Sequence, residues 1–437
     1  MTVDGGAQAT LSVRQAAFIG VGAMVGAGIF ALLGAAGEVA GAAVWVSFLI
    51  AGAIAALQGY SFAKFGARYP SGAGLLEYVV RAFGNGHITG VVGWLLLAAN
   101  AIITAMVAVS FGSYADSAFA VGDGDWTAAF AVLVVVVMSA LNILGSHVVA
   151  RAQTVIVIVV IGILTIFAVT TLANVDPDLL AFSGYPSLRD IVSSVALTFF
   201  AFLGFGVITF TAKDLAAPAR ELPRAVFLAL GIATVVYVAV ALGVFGTLTV
   251  DEVVDSGGTA LAVAAEPVLG NAGYWLMSVT ALFATAGATN AGLYPAAGLC
   301  EQMASTGQFP PVLGRRLRDR APAGILVTAL AAIVLSVGFD LSSIASLGSA
   351  VALIVFTLVT AGHLRVHEET GARPWILVVA IASTVTVLAT FAATTLVDEP
   401  GTAIALVAIL LLSVLLDLGW KRSRGHRAPE AERSLDL

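Results

Sequence analysis

The stretch GVGAMVGAGIF, residues Gly20–Phe30, is the most informative segment of this sequence. It places four glycines inside a long apolar segment, where each glycine costs about 1 kcal/mol relative to alanine in a helix. A second such stretch, FFAFLGFG at Phe199–Gly206, interrupts another apolar segment five segments later. A lone glycine pair in a membrane helix is typical of close helix packing. Corresponding interruptions in two halves of a chain indicate instead a binding site at the midplane of an inverted repeat.

The rest of the chain is apolar enough to lie in a membrane. Of its 437 residues, 59% are hydrophobic and 11% are charged, against about 45–50% and about 25% in soluble domains. A water-facing surface needs more charge than this. The composition also excludes a disordered chain, a nucleic-acid binder and a disulfide-stapled module, because the single Cys300 forms no internal disulfide. The sequence therefore predicts an all-α polytopic membrane protein.

Twelve apolar stretches approach the length of about 20 residues that a membrane helix needs. They are 13–37, 41–63, 87–114, 126–146, 150–173, 190–212, 224–248, 273–299, 323–339, 342–362, 374–397 and 402–420. We expect 12 transmembrane helices: a first inverted five-helix repeat at 13–173, a second at 190–362, and two further helices at 374–420. The terminal segments are 1–12 and 421–437.

Basic residues in the connecting loops set the expected orientation. With both termini in the cytoplasm, 19 of the 20 Lys and Arg residues face that side, and Arg189 alone faces outward. We therefore expect a multi-pass protein of the plasma membrane with both termini cytoplasmic. Its partners would be the lipid bilayer and a small molecule rather than a nucleic acid, and the sequence predicts no oligomeric state.

The motifs resemble those of the amino acid–polyamine–organocation permeases. Gly22–Phe30 is similar to the family's Gly-x-Gly-Ile-Phe signature, and Phe65–Gly74 is similar to its Arg-Phe-Pro-x-Gly-Gly loop. Phe199–Phe205 and the segments that follow continue the resemblance as far as residue 311, while the last four spans match only in hydropathy. The resemblance implies a secondary transporter that moves amino acids by alternating access.

Four positions depart from the family pattern. Lys64 and Gly206 stand where the family often has an acid, and Gly298 stands where it commonly has an arginine. In a proton-coupled branch of the family, a lysine on the fifth helix replaces a bound sodium ion, and that position falls at Val160. The sequence therefore lacks the residue on which that form of proton coupling depends.

The resemblance implies a substrate site at the two interruptions, with the α-carboxylate on backbone amides of the first and the α-amino group on carbonyls of the second. Independently of the family, unwound backbone can hold a zwitterion without charged side chains. Phe202 would act as an aromatic lid, with a plain core phenylalanine as the alternative. The predicted substrate-binding residues are Gly26, Ala27, Gly28, Phe199, Ala201, Phe202, Gly204 and Asn100.

Neutral amino acids are the favoured substrates. No ionisable residue stands near the middle of spans 1, 3, 5, 6, 8 or 10, so a charged substrate side chain would be left unpaired. The polar midspan groups that could line a pocket more often form hydrogen bonds between helices. They are Asn100, Thr104, Thr209 and Ser346.

Three alternatives for energy coupling follow from the sequence. Sodium would bind carbonyl and hydroxyl oxygens, although threonines four apart commonly bond to their own helix instead. A proton would use a peripheral group such as Glu77, Glu301 or His363. Exchange or facilitated flux is the third alternative. The predicted coupling-ion residues are Gly22, Val25, Thr285 and Thr289.

A charged cluster follows the sixth span and has two interpretations. It would pair with Arg68 or Glu77 as a cytoplasmic gate, or it would anchor the chain by the positive-inside rule. The cluster comprises Lys213, Asp214, Arg220, Glu221 and Arg224.

Other functional classes find no support in the sequence. It contains no metal-ligand pattern, no phosphate-binding loop and no nucleophile–base pair within the spans. We therefore expect no metal site, no cofactor beyond a coupling Na⁺ or H⁺, and no enzymatic activity. The alternative function is a transport-inactive sensor or a partner-dependent subunit with the same fold.

Overall fold

The computed structural model describes residues 11–71, 74–119, 124–144, 147–317 and 321–433, and nearly all of them are helical. Most of the predicted segment 1–12, the last residues of 421–437 and the loop residues Gly72 and Ala73 lie outside this description. The first helices are α1 (Val13–Ala27), α2 (Ile29–Ala40), α3 (Val44–Arg68), α4 (Leu75–Phe83), α5 (His87–Phe119), α6 (Thr127–Leu144) and α7 (His147–Ala173).

The second half of the chain begins with α8 (Leu188–Phe200) and a 3₁₀ helix at Leu203–Asp214. Two short strands, β1 (Arg316–Leu317) and β2 (Ala321–Pro322), form an antiparallel pair. The remaining helices are α9 (Pro218–Phe245), α10 (Val250–Ser256), α11 (Ala260–Ser305), α12 (Ala323–Gly338), α13 (Leu341–Arg365), α14 (His367–Thr370), α15 (Pro374–Ala393), α16 (Thr395–Asp398) and α17 (Pro400–Arg433).

Ten segments of the described chain are long and apolar enough to cross a membrane. Two shorter apolar helices, Val13–Gly26 and Ala323–Gly338, accompany them. The protein is therefore a polytopic, nearly all-helical membrane protein, while the count of twelve spans stays a prediction. The ten segments are Ile29–Arg68, His87–Phe119, Thr127–Leu144, Val155–Ala173, Leu188–Asp214, Pro218–Phe245, Val250–Ser305, Leu341–Arg365, Pro374–Ala393 and Pro400–Ser423.

Both spans that carry the glycine-containing stretches are interrupted. The first divides at Gly28 into α1 and α2, and the sixth changes at Ala201 and Phe202 from α8 to the 3₁₀ helix. Runs of 3₁₀ longer than three or four residues are uncommon, so this segment of 12 residues is an unusual feature. Its three residues per turn stack side chains in straight rows.

Glycine lets the two interrupted spans touch through their backbones. A Cβ built on Gly204 would lie 2.5 Å from the carbonyl carbon of Ala23 and 2.5 Å from the nitrogen of Met24. Real Cβ atoms essentially never approach another heavy atom this closely. The contact between α1 and the 3₁₀ helix therefore depends on the absence of a side chain at Gly204.

A buried carboxylate on α17, the last long helix, contacts the start of α5. The carboxylate of Asp417 on α17 is 1% exposed and lies 2.7 Å from the ammonium of Lys421, one turn further along the same helix. It also lies 2.5 Å from Nδ1 of His87, at the start of α5. Gly90 faces this carboxylate, and a Cβ there would overlap it. Ionisable side chains inside membrane proteins are rare and are usually paired in this way.

Candidate functional site

A cavity of about 100 Å³ lies against the interruption of the sixth span. Residues of α1, α4, α5, α8, α11, α13 and the 3₁₀ helix line it, and nearly all of their side chains are hydrocarbon. The lining residues are Ala23, Leu75, Leu76, Leu96, Ala99, Asn100, Ile103, Phe200, Leu203, Gly204, Gly206, Val207, Phe210, Ala288, Ala291, Gly292, Pro295, Leu299, Ala352, Val355 and Phe356.

The 3₁₀ geometry decides which residues of the sixth span reach this cavity. Gly204, Val207 and Phe210 line it, and they are three residues apart, so they form one straight row. Leu203 and Gly206, also three apart, line it from the adjacent row. The first row ends at Phe210, whose ring packs against Gly74 at the start of α4. Gly74 has a φ of +55°, a conformation that favours glycine. The cavity therefore extends along this row from the interruption to α4.

Asn100 of α5 supplies the one polar side chain among the described lining residues. The side chain is half-buried, and no hydrogen bond joins its carboxamide to another described residue. The hydroxyl of Thr104 donates to the backbone carbonyl of Asn100 at 2.7 Å and leaves the carboxamide untouched. A carboxamide offers two N–H donors and one acceptor oxygen. Asn100, predicted from the sequence as a binding residue, is therefore free to bind a ligand in the cavity.

Phe202 does not cover this cavity. Its side chain is fully buried, and its ring packs edge-on against Tyr237, with the ring centroids 5.1 Å apart. Phe199 is buried as well and packs against Phe356. Phe200 and Phe356 are the aromatic residues beside the cavity at the interruption. In this conformation the aromatic wall therefore comes from Phe200, Phe210 and Phe356, and Phe202 holds a core position.

The backbone groups expected to hold substrate at the interruptions are partly engaged within the protein. The N–H of Gly28 donates to the carbonyl of Met24 at 3.0 Å, and the hydroxyl of Tyr237 donates to the carbonyl of Ala201 at 3.1 Å. Gly28 lies directly against Ala201, because a Cβ on Gly28 would stand 2.7 Å from the Cα of Ala201. Ala27 ends α1, and its side chain lies outside the description.

Tyr237, which could not be predicted from the sequence, supports the two interruptions although it lines neither cavity in the described chain. It is fully buried on α9, and it joins the two interruptions because it bonds to Ala201 and lies near Gly28. The available signal was a tyrosine in the middle of an apolar span. A buried tyrosine hydroxyl usually requires a hydrogen-bond partner.

A second, smaller cavity of about 10 Å³ lies where α1, α7 and α11 meet. It brings together Gly22 and Val25, two of the residues predicted for a coupling ion, but neither Thr285 nor Thr289 is among the described residues that line it. Gly26, predicted for substrate, lines this cavity and not the larger one. The lining residues are Gly22, Val25, Gly26, Ile156, Val157, Val160 and Ala284.

The charged residues near α4 form local contacts. Glu77 pairs with Arg81 at 2.8 Å, and the guanidinium of Arg68 lies 5.6 Å from the ring centroid of Tyr69. Tyr69 donates a hydrogen bond to Glu369, and this bond raises the pKa of Tyr69 above its ordinary value.

The predicted charged gate is not assembled in this conformation. Glu221 accepts a hydrogen bond from the backbone nitrogen of Ala217 at the start of α9. Within the described ranges, no ion pair joins the cluster after the sixth span to Arg68 or Glu77. The second interpretation, in which the cluster anchors the chain at the membrane surface, stays a prediction.

Comparison with known proteins agrees with this architecture. The family model described as amino acid permease matches residues 11–415. The inner membrane transport protein YbaT of Escherichia coli is 31% identical over 408 residues, which are 93% of this chain and 95% of that protein. The methylthioribose transporter of Bacillus subtilis is 25% identical over 400 residues, 86% of each chain. The branched-chain amino acid permease BcaP of Bacillus subtilis is 25% identical over 247 residues, 53% of each chain.

The structure has two interrupted spans beside a largely apolar cavity. The family model matches nearly the whole sequence. The protein is an integral membrane protein, and the three relatives described above are transporters. This chain belongs to the amino acid permease family.

Proposed function

We propose that this protein is a secondary transporter that moves neutral amino acids across the plasma membrane. The observation that carries the proposal is the cavity beside the interrupted sixth span, with hydrocarbon walls and the free carboxamide of Asn100. Such a cavity accepts an apolar side chain and offers one hydrogen-bonding group to orient the ligand.

The electrostatics of the cavity favour a neutral substrate. Among the residues that the structure describes, no Asp, Glu, Lys, Arg or His lines it. A charged substrate side chain would lose its hydration there without gaining a partner, and burying an unpaired charge is strongly unfavourable. The α-amino and α-carboxylate groups of an amino acid are not in the same position as a charged side chain. Their two charges would meet backbone dipoles at the interruptions.

The proposed mechanism is alternating access in a twelve-helix bundle of two inverted repeats, 13–173 and 190–362. The pairing of interruptions in the first and sixth spans supports the repeat. The first, second, sixth and seventh spans would rock against the third, fourth, eighth and ninth around the bound substrate. With both termini in the cytoplasm, as the basic residues favour, the end of the cavity at α4 faces the cytoplasm.

The test is uptake by the purified full chain in proteoliposomes, with a panel of labelled neutral, acidic and basic amino acids. We expect counterflow of neutral amino acids alone. Asn100→Leu replaces the carboxamide by hydrocarbon of similar size, and we expect it to change the order of preference among neutral substrates. Ser117→Ala is the matched control, because Ser117 lies on the same helix and its hydroxyl bonds to the carbonyl of Tyr114, away from the cavity.

The outcomes separate the alternatives. Equal preference profiles for Asn100→Leu and wild type would remove Asn100 from the binding site. Substrate binding without flux would favour the sensor or partner-dependent subunit over the transporter.

A second candidate substrate comes from a relative. The methylthioribose transporter covers 86% of this chain, and a neutral thioether sugar also suits an apolar cavity that has one amide group. Methylthioribose therefore belongs in the uptake panel. Its transport in preference to every amino acid would identify the substrate as a neutral sugar derivative.

A further inference from the structure

The smaller cavity bears on what drives transport, and the inference drawn from it rests on the proposed transport function. Among the described residues, hydrocarbon side chains and glycine backbone surround it. Its volume of about 10 Å³ is at the lower limit for one water molecule, which itself needs two or more polar partners. The meeting point of α1, α7 and α11 is therefore a packed apolar contact.

Val157 fills the space beside the backbone of α1. A Cβ built on Gly22 would overlap a methyl group of Val157. Further along α1, a Cβ on Gly26 would overlap the backbone carbonyl oxygen of Ala284 and lie 2.6 Å from the Cβ of Ala288. A hard cation in a protein is held by several convergent oxygen atoms, whereas the carbonyl oxygen of Ala284 and methyl groups of Val157 and Ala288 stand against this face of α1.

The two threonine hydroxyls predicted for a sodium site bond to their own helix. Thr285 donates to the carbonyl of Ala281 at 2.6 Å, and Thr289 donates to the carbonyl of Thr285 at 2.9 Å. This back-bonding satisfies hydroxyl groups inside a helix without any ligand. The residue of α11 that lines the small cavity is Ala284.

The peripheral groups that could carry a proton are engaged elsewhere. His363 is buried, and its ring nitrogens contact Ser61 at 2.9 Å and Thr370 at 2.7 Å. Glu301 is 45% exposed and lies 3.7 Å from Arg316.

Neither cavity has an ionisable residue among its described lining. Glu77, the third proton candidate, is paired with Arg81 at 2.8 Å, and it lines neither cavity in the described chain. A proton relay across a membrane needs ionisable groups along the substrate path.

We infer that this protein transports its substrate without coupling to Na⁺ or H⁺. The driving force is then the gradient of the substrate itself, or of a second substrate molecule exchanged for it. An uncoupled carrier brings the internal and external substrate concentrations to a ratio of one. At zero membrane potential, coupling to one cation with a tenfold gradient would raise the ratio to about ten, since the two free energies balance.

The experiment measures this ratio at the uptake plateau in proteoliposomes that hold the full chain. The probe is the neutral amino acid with the strongest counterflow. Three conditions are compared at clamped zero potential: a tenfold inward Na⁺ gradient, an inward gradient of one pH unit, and no gradient. We expect a ratio of one in all three, together with a transient overshoot when the vesicles are preloaded with unlabelled substrate.

The other outcomes are distinct. A ratio near ten that collapses when an ionophore dissipates the Na⁺ or H⁺ gradient would overturn the inference and leave the transport function intact. Absence of counterflow under every condition would overturn the transport function and the inference with it.

Two threonine variants test directly whether the hydroxyl of Thr285 contributes to a sodium site. Thr285→Val removes a hydroxyl predicted for the sodium site, and Thr280→Val is its matched control on α11, where the hydroxyl bonds to the carbonyl of Leu276 at 2.6 Å. We expect Na⁺-independent counterflow in both. Sodium stimulation seen in wild type and Thr280→Val but absent in Thr285→Val would establish a sodium site and refute the inference.

Discussion

The substitution Gly204→Ala tests the contact between the two interrupted spans. Its new methyl group would stand 2.5 Å from two backbone atoms of α1, at Ala23 and Met24, and backbone atoms yield less readily than the end of a flexible side chain. Overpacking of this kind costs about 1–3 kcal/mol, which corresponds to roughly 5- to 150-fold in an equilibrium constant. Gly206→Ala is the matched comparison two residues later, because its Cβ would meet only a methyl group of Leu75, at 3.6 Å.

The assay is thermal unfolding in detergent, followed by the recovery of monodisperse protein after heating. We expect Gly204→Ala to lower the apparent melting temperature relative to wild type and Gly206→Ala to leave it close to the wild-type value. Counterflow per folded protein would show whether the surviving Gly204→Ala molecules still exchange substrate. Equal melting temperatures for the two alanine variants would refute the claim that the contact excludes a side chain.

Three further substitutions address other contacts. Tyr237→Phe removes the hydrogen bond to the carbonyl of Ala201 and should destabilise the protein by about 1 kcal/mol, read as a lower melting temperature; an unchanged value would show that the bond contributes nothing. Gly28→Val places a branched side chain against Ala201 and should abolish counterflow, so retained flux would contradict a close approach at the interruption. Asp417→Ala removes the carboxylate that is hydrogen-bonded to His87 and paired with Lys421 and should cost about 1.5–3 kcal/mol, detected as faster proteolysis of α17; wild-type resistance would show that these contacts do not hold this helix.

The positions of the interruptions could be predicted from the sequence because glycine is unfavourable inside an apolar helix. The chain is broken at Gly28 and at Ala201–Phe202, within the two stretches identified. Asn100 was also predictable, since a polar side chain in a membrane span is rare enough to require a reason, and it does line the cavity.

The directions of the aromatic side chains could not be predicted. Whether Phe200 or Phe202 faces the cavity depends on where the α-helix gives way to 3₁₀, because each residue turns about 100° in the first and about 120° in the second. Tyr237 was missed for a related reason. Its bond to Ala201 joins residues 36 apart, and helical periodicity carries no information on which helix lies opposite.

The role of the two threonine hydroxyls of α11 could not be predicted from their spacing alone. A spacing of four residues puts Thr285 and Thr289 on one face of a helix, which suits two ligands of one ion and suits hydroxyls bonded to carbonyls one turn back. The structure has the second arrangement.

The 3₁₀ helix also sets the length of the sixth span. At about 2.0 Å per residue its 12 residues extend about 24 Å, whereas an α-helix of the same residues would extend about 18 Å. Rewinding this segment into an α-helix would shorten it by about 6 Å and rotate Phe210 away from the row that begins at Gly204. The length of this segment and the direction of its side chains therefore change together. A switch from 3₁₀ to α-helical hydrogen bonds would move one end of the segment relative to the other by about the rise of one helical turn.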